Sequence, residues 1–152
     1  MIAATQRKIP SADVDAWTRA QGSIDGLPSL LRFRPGLAEY LGDARFSRRL
    51  QVTWTYGGDE GSGMPSDQDS DQMSELEDRL VASLEAKEAG VLAFVFTHRG
   101  TREWHFYVGD SAELGQIINT ALADLPGLPI DLAIEDDPEW DELANVLRSV
   151  GE

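Results

Sequence analysis

Residues 90–107, GVLAFVFTHRGTREWHFY, predict two strands that fold back on each other. The first strand is apolar at nearly every position, which is typical of a central strand covered on both faces. The second alternates between apolar and polar side chains. Gly100 supplies φ > 0 for a tight turn between the two strands. The predicted cross-strand pairs are Thr97 with Arg102, Val95 with Trp104, and Ala93 with Phe106.

Alternation along each strand assigns every side chain of this hairpin to one of two faces. The face without charge is predicted to be core, and it holds Val91, Ala93, Val95, Trp104, Phe106 and Val108. The other face mixes aromatic rings with polar groups, and it holds Leu92, Phe94, Phe96, Glu103, His105 and Tyr107. Aromatic rings on a sheet face without helices form an apolar patch, which is usually buried by another segment or by a partner. We expect the N-terminal segment, with Trp17 and residues 30–33, to lie over part of this second face, and a partner or a second copy of the chain to take the remainder.

The segments before the hairpin predict one hairpin, one strand and one helix. Residues 17–22 and 30–34 read as two short strands turned at Asp25-Gly26, after a loose lead-in over residues 1–14. Residues 50–56 alternate as a half-buried strand, with Leu50, Val52 and Trp54 toward the helices. Residues 57–72 are an acidic Gly/Ser/Asp loop. The helix after it is predicted from helical spacing of Met73, Leu76, Leu80 and Leu84.

The segments after the hairpin predict a helix, a strand and a last helix. Residues 114–125 have helical periodicity, and Asp110 and Glu113 are spaced as a capping pair before it. Residues 128–134 alternate as a strand, with Ile130 and Leu132 toward the helices. Asp137 followed by Pro138 predicts the N-cap and the first position of the last helix.

From residue 50 onward the predicted order is strand, helix, strand, strand, helix, strand. We therefore expect an α+β fold with two layers, an antiparallel sheet with helices on one face and a ferredoxin-like βαββαβ order. An N-terminal β-hairpin precedes this unit and a C-terminal helix follows it. At 152 residues the chain is predicted to be a single domain, residues 1–152, with a sizeable core.

Charge is the strongest feature of the composition. The net charge is −14, but residues 1–58 carry 8 Lys/Arg and 5 Asp/Glu, whereas residues 59–152 carry 5 Lys/Arg and 22 Asp/Glu. An acidic surface repels nucleic acid and anionic membranes and attracts basic partners. The chain has no cysteine, no signal-peptide pattern and no apolar run of membrane-spanning length. We expect a soluble cytoplasmic protein that binds neither nucleic acid nor membrane.

Catalytic and metal-binding patterns are weak. Glu103, His105 and Asp131 could share one face of the sheet as an acid–base cluster, although a solvated polar row is the favoured interpretation. The spacing of Asp67, Asp69 and Asp71 imitates the start of a calcium loop. Gln72 stands where such a loop needs glycine, so these three are only weak metal candidates. No cofactor is predicted.

Several residues give the chain a resemblance to a known family. They are Thr97, Gly100, Arg102, Glu103, the aromatic-rich run to Tyr107, residues 63–65, residues 76–78 and residues 137–140. On these residues the chain resembles domain-of-unknown-function family 695, a bacterial family without assigned chemistry, from about residue 15 to about residue 147. His105 departs from the pattern, which usually has an aromatic residue there. Such a domain is sometimes joined to one resembling ribonuclease E regulator B, a small acidic inhibitor, so the resemblance implies an accessory role.

The preferred hypothesis is a non-enzymatic, acidic protein-binding module, either a regulator or an immunity-type inhibitor of a basic enzyme such as a nuclease. The expected partner is a basic protein or a second copy of the chain. The alternative is a metal-assisted hydrolase that uses the carboxylates of the acidic loop. The candidate partner-binding residues are Phe94, Phe96, Glu103, His105, Tyr107, Asp131, Glu135, Asp136, Asp137 and Glu139.

Overall fold

One antiparallel sheet organises the chain in the computed structural model, which describes residues 17–24, 26–56, 64–109, 112–123, 125 and 127–150. The predicted lead-in over residues 1–14 lies outside these ranges. Among the described helices, none is long and apolar enough to cross a membrane. The elements follow in the order β1 (Thr18–Ile24), β2 (Leu27–Phe33), a 3-10 helix (Pro35–Tyr40), β3 (Arg48–Thr55), α1 (Asp67–Ala86), β4 (Gly90–His98), β5 (Thr101–Val108), α2 (Leu114–Ala121), β6 (Ile130–Asp136) and α3 (Asp141–Val150).

The strand order across the sheet is β1-β2-β4-β5-β3-β6, and every neighbouring pair is antiparallel. The α+β class is therefore confirmed. The sheet has six strands rather than four, so a ferredoxin-like sheet is not shown as such; the hairpin β1-β2 extends the sheet beside β4. This order leaves β1 and β6 as the two edges.

The first hydrophobic cluster fills the space between the sheet and the helices α1 and α2. Helix α1 contributes the four residues predicted from its periodicity, and all four are fully buried. Burying each such side chain contributes roughly 1.5–3 kcal/mol to stability. The sheet contributes Leu50, Val52, Trp54, Leu92, Val95, Trp104, Phe106 and Val108.

A β-bulge in β4 exchanges the faces of its first residues. The register shifts between Leu92 and Phe94, so that Leu92 pairs with Phe106 and lies in the first cluster. A bulge places two residues opposite one and reverses the alternation beyond it. The predicted pair of Ala93 with Phe106 is therefore wrong, as is the assignment of Val91 and Ala93 to the helix face. The two pairs nearer the turn are confirmed.

The second hydrophobic cluster lies on the opposite face of the sheet. Its cover is the 3-10 helix, the segment around Phe46 and the start of α3, so the prediction of helices on one face only is wrong. The expected cover by Trp17 and residues 30–33 is also wrong, and residues 1–16 of the N-terminal segment lie outside the described ranges. Trp17 packs against the first cluster, and residues 30–33 lie within β2, a strand of the sheet itself. The members of the second cluster are Phe33, Leu37, Phe46, Val91, Ala93, Phe94, Tyr107, Trp140 and Leu143.

Two helices begin at residues other than those predicted. Helix α1 begins at Asp67 because the hydroxyl of Ser66 accepts a hydrogen bond from the Asp69 amide. The last six residues of the predicted loop 57–72 are therefore the first six residues of α1. Residues 57–63 lie outside the described ranges. Helix α3 begins at Asp141, one turn after the predicted start at Asp137-Pro138.

Candidate functional sites

A chain of polar side chains runs across β3, β5 and β6 on the face of the second cluster. Arg49 stands at its centre, with one terminal nitrogen 2.9 Å from Nδ1 of His105 and the other 3.0 Å from Oε1 of Glu135. Nε of Arg49 lies 3.6 Å from Oδ2 of Asp137. Nε2 of His105 lies 3.0 Å from Glu103. A guanidinium can only donate, so Nδ1 of His105 accepts and Nε2–H donates to Glu103.

His105 is buried within this chain of hydrogen bonds. Phe94 stacks on its ring with the centroids 4.2 Å apart, and only 5% of the residue is exposed. The interpretation of a solvated polar row is therefore wrong for His105. Asp131 is exposed on β6, and strand β3 separates it from Glu103 and His105 on β5, so the three residues do not form one acid–base cluster.

Tyr107 and Asp137 hold the start of α3 against the sheet. The Tyr107 hydroxyl donates to Oδ2 of Asp137 at 2.7 Å and accepts from the Leu143 amide at 3.2 Å. Asp137 also accepts from the amides of Asp141 and Glu142, the first two residues of α3, but the prediction of Asp137 as N-cap and Pro138 as first helical residue is wrong, because both precede the helix. Burial, and then the hydrogen bond to Asp137, raise the pKa of Tyr107 far above its ordinary value. Its hydroxyl therefore stays protonated as a donor.

The structure divides the predicted partner-binding residues into buried and accessible ones. Phe94, His105, Tyr107 and Asp137 are buried by the chain itself. Phe96 and Glu103 are half-buried beside the uncovered part of the sheet face. The remaining four lie on β6 and just beyond it with exposed side chains, and they are Asp131, Glu135, Asp136 and Glu139.

Strand β6 has one hydrogen-bonded neighbour among the described strands, β3. The Thr55 amide donates to the Pro129 carbonyl and the Asp137 amide donates to the Ser47 carbonyl. In an antiparallel pair, alternate residues turn their backbone groups toward the partner strand. The odd-numbered residues of β6 therefore face β3, whereas Leu132 and Ile134 turn their N–H and C=O groups to the open edge.

Leu132 and Ile134 also expose their side chains, by 48% and 44%. Their register partners, Val52 and Leu50, belong to the first cluster, and Ile130 at the start of β6 packs against it, but Leu132 and Ile134 are left uncovered. Leu132 was predicted to face the helices; it points to that side of the sheet without being covered. The sequence missed this exposure because alternation gives the face of a residue and not its distance from the sheet edge.

A cavity of about 310 Å³ lies between α1 and the strands β1, β2, β4 and β5. Sequence reasoning did not find it, because Arg102 on β5 is distant in sequence from the β1-β2 hairpin that carries Arg19 and Arg32. One signal was available: the turn at Gly26 implies the pairing of Arg19 with Arg32, two like charges on one face. The side chains of interest here are Arg19, Arg32, Arg102, Ser70, Ser74 and Thr97.

The arginines of the cavity differ in their partners. Arg32 forms an ion pair with Glu77 at 2.5 Å, and Glu77 also accepts from the Trp104 indole at 3.0 Å. Arg102 donates from Nε to Oγ1 of Thr97 at 2.8 Å. Burial lowers the pKa of Arg102, and the nearby guanidinium of Arg32 lowers it further. Arg102 and Glu103 thus bind partners on opposite faces of the sheet, Thr97 and His105, as expected for adjacent residues of one strand.

The weak metal candidates lie at the beginning of α1. Asp67 and Asp69 occupy its first turn, where carboxylates favour the positive end of the helix dipole, and Asp71 follows in the second turn. No group of three His, Asp or Glu side chains that could hold a metal ion occurs within the described ranges.

Comparison with known proteins identifies the family. The sequence model of a family of unknown function, DUF695, matches residues 15–147, and the chain belongs to this family. Neither the curated proteins nor the solved structures yielded a match. Thr97, Arg102, Glu77 and Asp78, which are among the residues that carry the resemblance, all line the cavity under α1.

Proposed function

We propose that this member of DUF695 is a non-enzymatic module that binds a basic protein through the open edge of β6. The observation that carries the proposal is the state of this strand: the backbone groups of Leu132 and Ile134 face outward, and both side chains are exposed and apolar. An extended segment that adds to a sheet edge gains main-chain hydrogen bonds, and its alternate side chains give specificity. Leu132 and Ile134 supply both kinds of contact.

The charge around β6 defines the chemistry of the partner. Residues 131–142 contain seven Asp/Glu and no Lys or Arg. Arg49 and Arg48 of β3 pair with Glu135 and Asp136. Asp131 and Glu139 have no ion-pair partner within the described ranges. The complementary segment is a strand that places apolar residues against Leu132 and Ile134 and basic residues on the other face, because acidic and basic surfaces attract and orient each other.

A second copy of the chain fits this edge less well than a basic protein. The antiparallel register that pairs the whole of β6 with itself is centred on Ala133 and sets Asp131 opposite Glu135 of the other copy. Like charges directly opposite each other destabilise a strand pair. The net charge of −14 on each copy adds to the repulsion. Self-association is therefore an outcome for the experiment to exclude.

The proposed role is that of a regulator or an inhibitor of a basic enzyme, such as a nuclease. Enzymes that act on polyanions present basic surfaces, and an acidic partner competes for such a surface through the same long-range attraction. The alternative of a metal-assisted hydrolase remains a hypothesis from the sequence, and no described contact of Asp67, Asp69 or Asp71 favours it.

The test uses a peptide of about ten residues that alternates lysine and valine, which models the complementary strand. Binding should slow hydrogen exchange at the amides of Leu132 and Ile134 and should weaken as salt is raised. Ile134→Pro removes an outward N–H while leaving the ladder to β3 in place. It should weaken binding about tenfold, because it removes a main-chain hydrogen bond and excludes close approach.

Two control variants separate the contributions. Ile134→Ala keeps the outward N–H and should weaken binding less than Ile134→Pro does. Asp131→Lys should weaken binding by a few fold, whereas Asp71→Lys, the same charge change on α1, should have less effect. Protection of amides elsewhere, equal effects of both lysine variants, or dimerisation that Ile134→Pro abolishes would each contradict the proposal.

The peptide result is then extended to a natural partner. Affinity purification with the full chain should retain a basic protein that Asp71→Lys also retains, that Asp131→Lys retains in smaller amount, and that Ile134→Pro loses. A protein that all four chains retain equally would bind at another surface, and this result would count against the assigned edge.

A further inference from the structure

The arginines of the cavity under α1 carry more positive charge than their surroundings compensate. Glu77 is already shared by Arg32 and the Trp104 indole. Arg102 has no carboxylate within hydrogen-bond distance, and Arg19 forms no ion pair within the described ranges. Two guanidinium groups therefore face the same cavity without an acidic partner.

The sheet register places these cations on the same face of the sheet. Arg19 lies directly opposite Arg32 in the β1-β2 pair. Arg102 is one row further along the same face, because Leu30 pairs with Thr97 and Thr97 pairs with Arg102. Glu77 offsets the charge of Arg32 but is not within hydrogen-bond distance of Arg19 or Arg102, and an anion between like charges relieves their repulsion. We infer that this cavity binds a small phosphate monoester between Arg19 and Arg102.

The chemistry of the lining fits a dianion with several acceptor oxygens. Three arginines against the carboxylates of Glu77 and Asp78 leave the lining with a net charge of +1, and the guanidinium forks of Arg19 and Arg102 match the oxygens of a phosphate. Ser70 and Ser74 of α1 present hydroxyl donors on the opposite wall. The cavity volume of about 310 Å³ lies at the lower end of the range for small-molecule sites. Leu30 and Val95 provide an apolar wall for the organic group.

The surroundings favour a small ligand over a polymeric polyanion. Asp78 lies at the cavity and carries an exposed carboxylate. Helix α1 also exposes Asp71 and Glu75, so the outer surface repels an extended chain of phosphates. A single phosphate group inside the cavity does not have to approach the carboxylates on the outer surface of α1. Asp78 should weaken the binding of such a ligand without preventing it.

Calorimetric titration tests this inference with two probes, inorganic phosphate and phenyl phosphate, in chloride buffer at constant ionic strength. Both should bind the full chain, and phenyl phosphate should bind at least as tightly because its ring meets Leu30 and Val95. Arg102→Gln and Arg19→Gln should each weaken binding about tenfold or more, because each removes charge-assisted hydrogen bonds. Asp78→Asn should tighten it by a few fold.

Arg148→Gln is the matched control, since it makes the same charge change on the exposed part of α3 and should leave binding unchanged. Arg19 is exposed and unpaired within the described ranges, so its variant tests the site even if Arg102→Gln fails to fold, which circular dichroism would reveal. The inference is overturned if neither probe binds at about millimolar concentration. It is also overturned if Arg19→Gln binds as tightly as the wild type, or if inorganic phosphate binds and phenyl phosphate does not.

This site is independent of the proposed binding edge, because the cavity and β6 share no residue. Ile134→Pro should leave phosphate binding intact. Arg19→Gln should leave peptide binding at β6 intact.

Discussion

Helices on both faces of the sheet are hydrogen-bonded to it, but the bonds of α1 through Glu77 lie at the half-buried margin of the first cluster, whereas the bonds of Tyr107 and Asp137 lie inside the second. The first cluster combines aliphatic residues of the helices with Trp54 and Trp104. In the second, Tyr107 binds Asp137, and the Trp140 indole donates to the Phe46 carbonyl at 2.8 Å. Apolar packing depends on volume, whereas a buried hydrogen bond depends on both of its partners. The two faces should therefore respond differently to substitution.

The largest expected effect is in the first cluster. Leu80→Ala removes a fully buried side chain of α1 and should lower the free energy of unfolding by about 2–5 kcal/mol, because the cavity it leaves can collapse only partly. Urea unfolding measures this change. Leu132→Ala is the control, since Leu132 is 48% exposed and its loss should change stability by less than about 0.5 kcal/mol. Similar losses in the two variants would show that the first cluster does not dominate stability.

A smaller effect is expected from removing one oxygen atom in the second cluster. Tyr107→Phe keeps the ring that stacks on Trp140 with centroids 4.2 Å apart, but removes the bonds to Asp137 and the Leu143 amide. The free energy of unfolding should fall by about 1–3 kcal/mol, since two buried groups lose a partner. Hydrogen exchange should speed up at the Leu143 amide before the amides of α1. Unchanged stability would mean that packing alone holds α3.

The smallest effect is expected at the margin of the second cluster, where Asp43 binds Arg45. The side-chain hydrogen bonds from Arg45 lower the pKa of Asp43 below its ordinary value. A lowered pKa in the folded state contributes stability that is present above the ordinary carboxyl pKa and is lost as pH falls through the lowered value. Asp43→Asn should reduce stability at neutral pH by up to about 1 kcal/mol, because the pair is partly exposed.

The pH profile is the measurement that checks this last prediction. The stability difference between Asp43→Asn and the wild type, taken from urea unfolding, should shrink as the pH falls below about 4. A difference that stays constant across acidic pH would assign the effect to the shape of the loop rather than to its charge.

Periodicity predicted the elements well where a single face of each is buried. The four apolar positions of α1 and the alternation of β3 placed their side chains in the first cluster correctly. The bulge in β4 escaped prediction because residues 91–96 are apolar without a break, so a change of face leaves no trace in the pattern. The cover of the second face escaped because its anchor, Trp140, depends on a backbone with φ of 60° that bulky residues seldom adopt.

The candidate sites were predictable only in part. The acidic stretch around β6 is visible in the sequence, and four of the predicted partner-binding residues are exposed there. Whether β6 is an edge depends on the strand order, which local patterns do not determine. The cavity needs the same long-range information, because Arg19 and Arg102 line it from β1 and β5, the two ends of the run β1-β2-β4-β5.

The bulge in β4 also affects how related chains are compared with this one. It acts as a one-residue insertion within a strand, so residues on its two sides follow opposite parity rules. If an alignment shifts a related sequence by one residue near Ala93, apolar residues are still aligned with apolar residues and the alignment scores well. The shift nevertheless assigns those residues to the wrong face of the strand. Inward and outward positions in β4 should therefore be counted separately from each end, from Gly90 forward and from His98 backward.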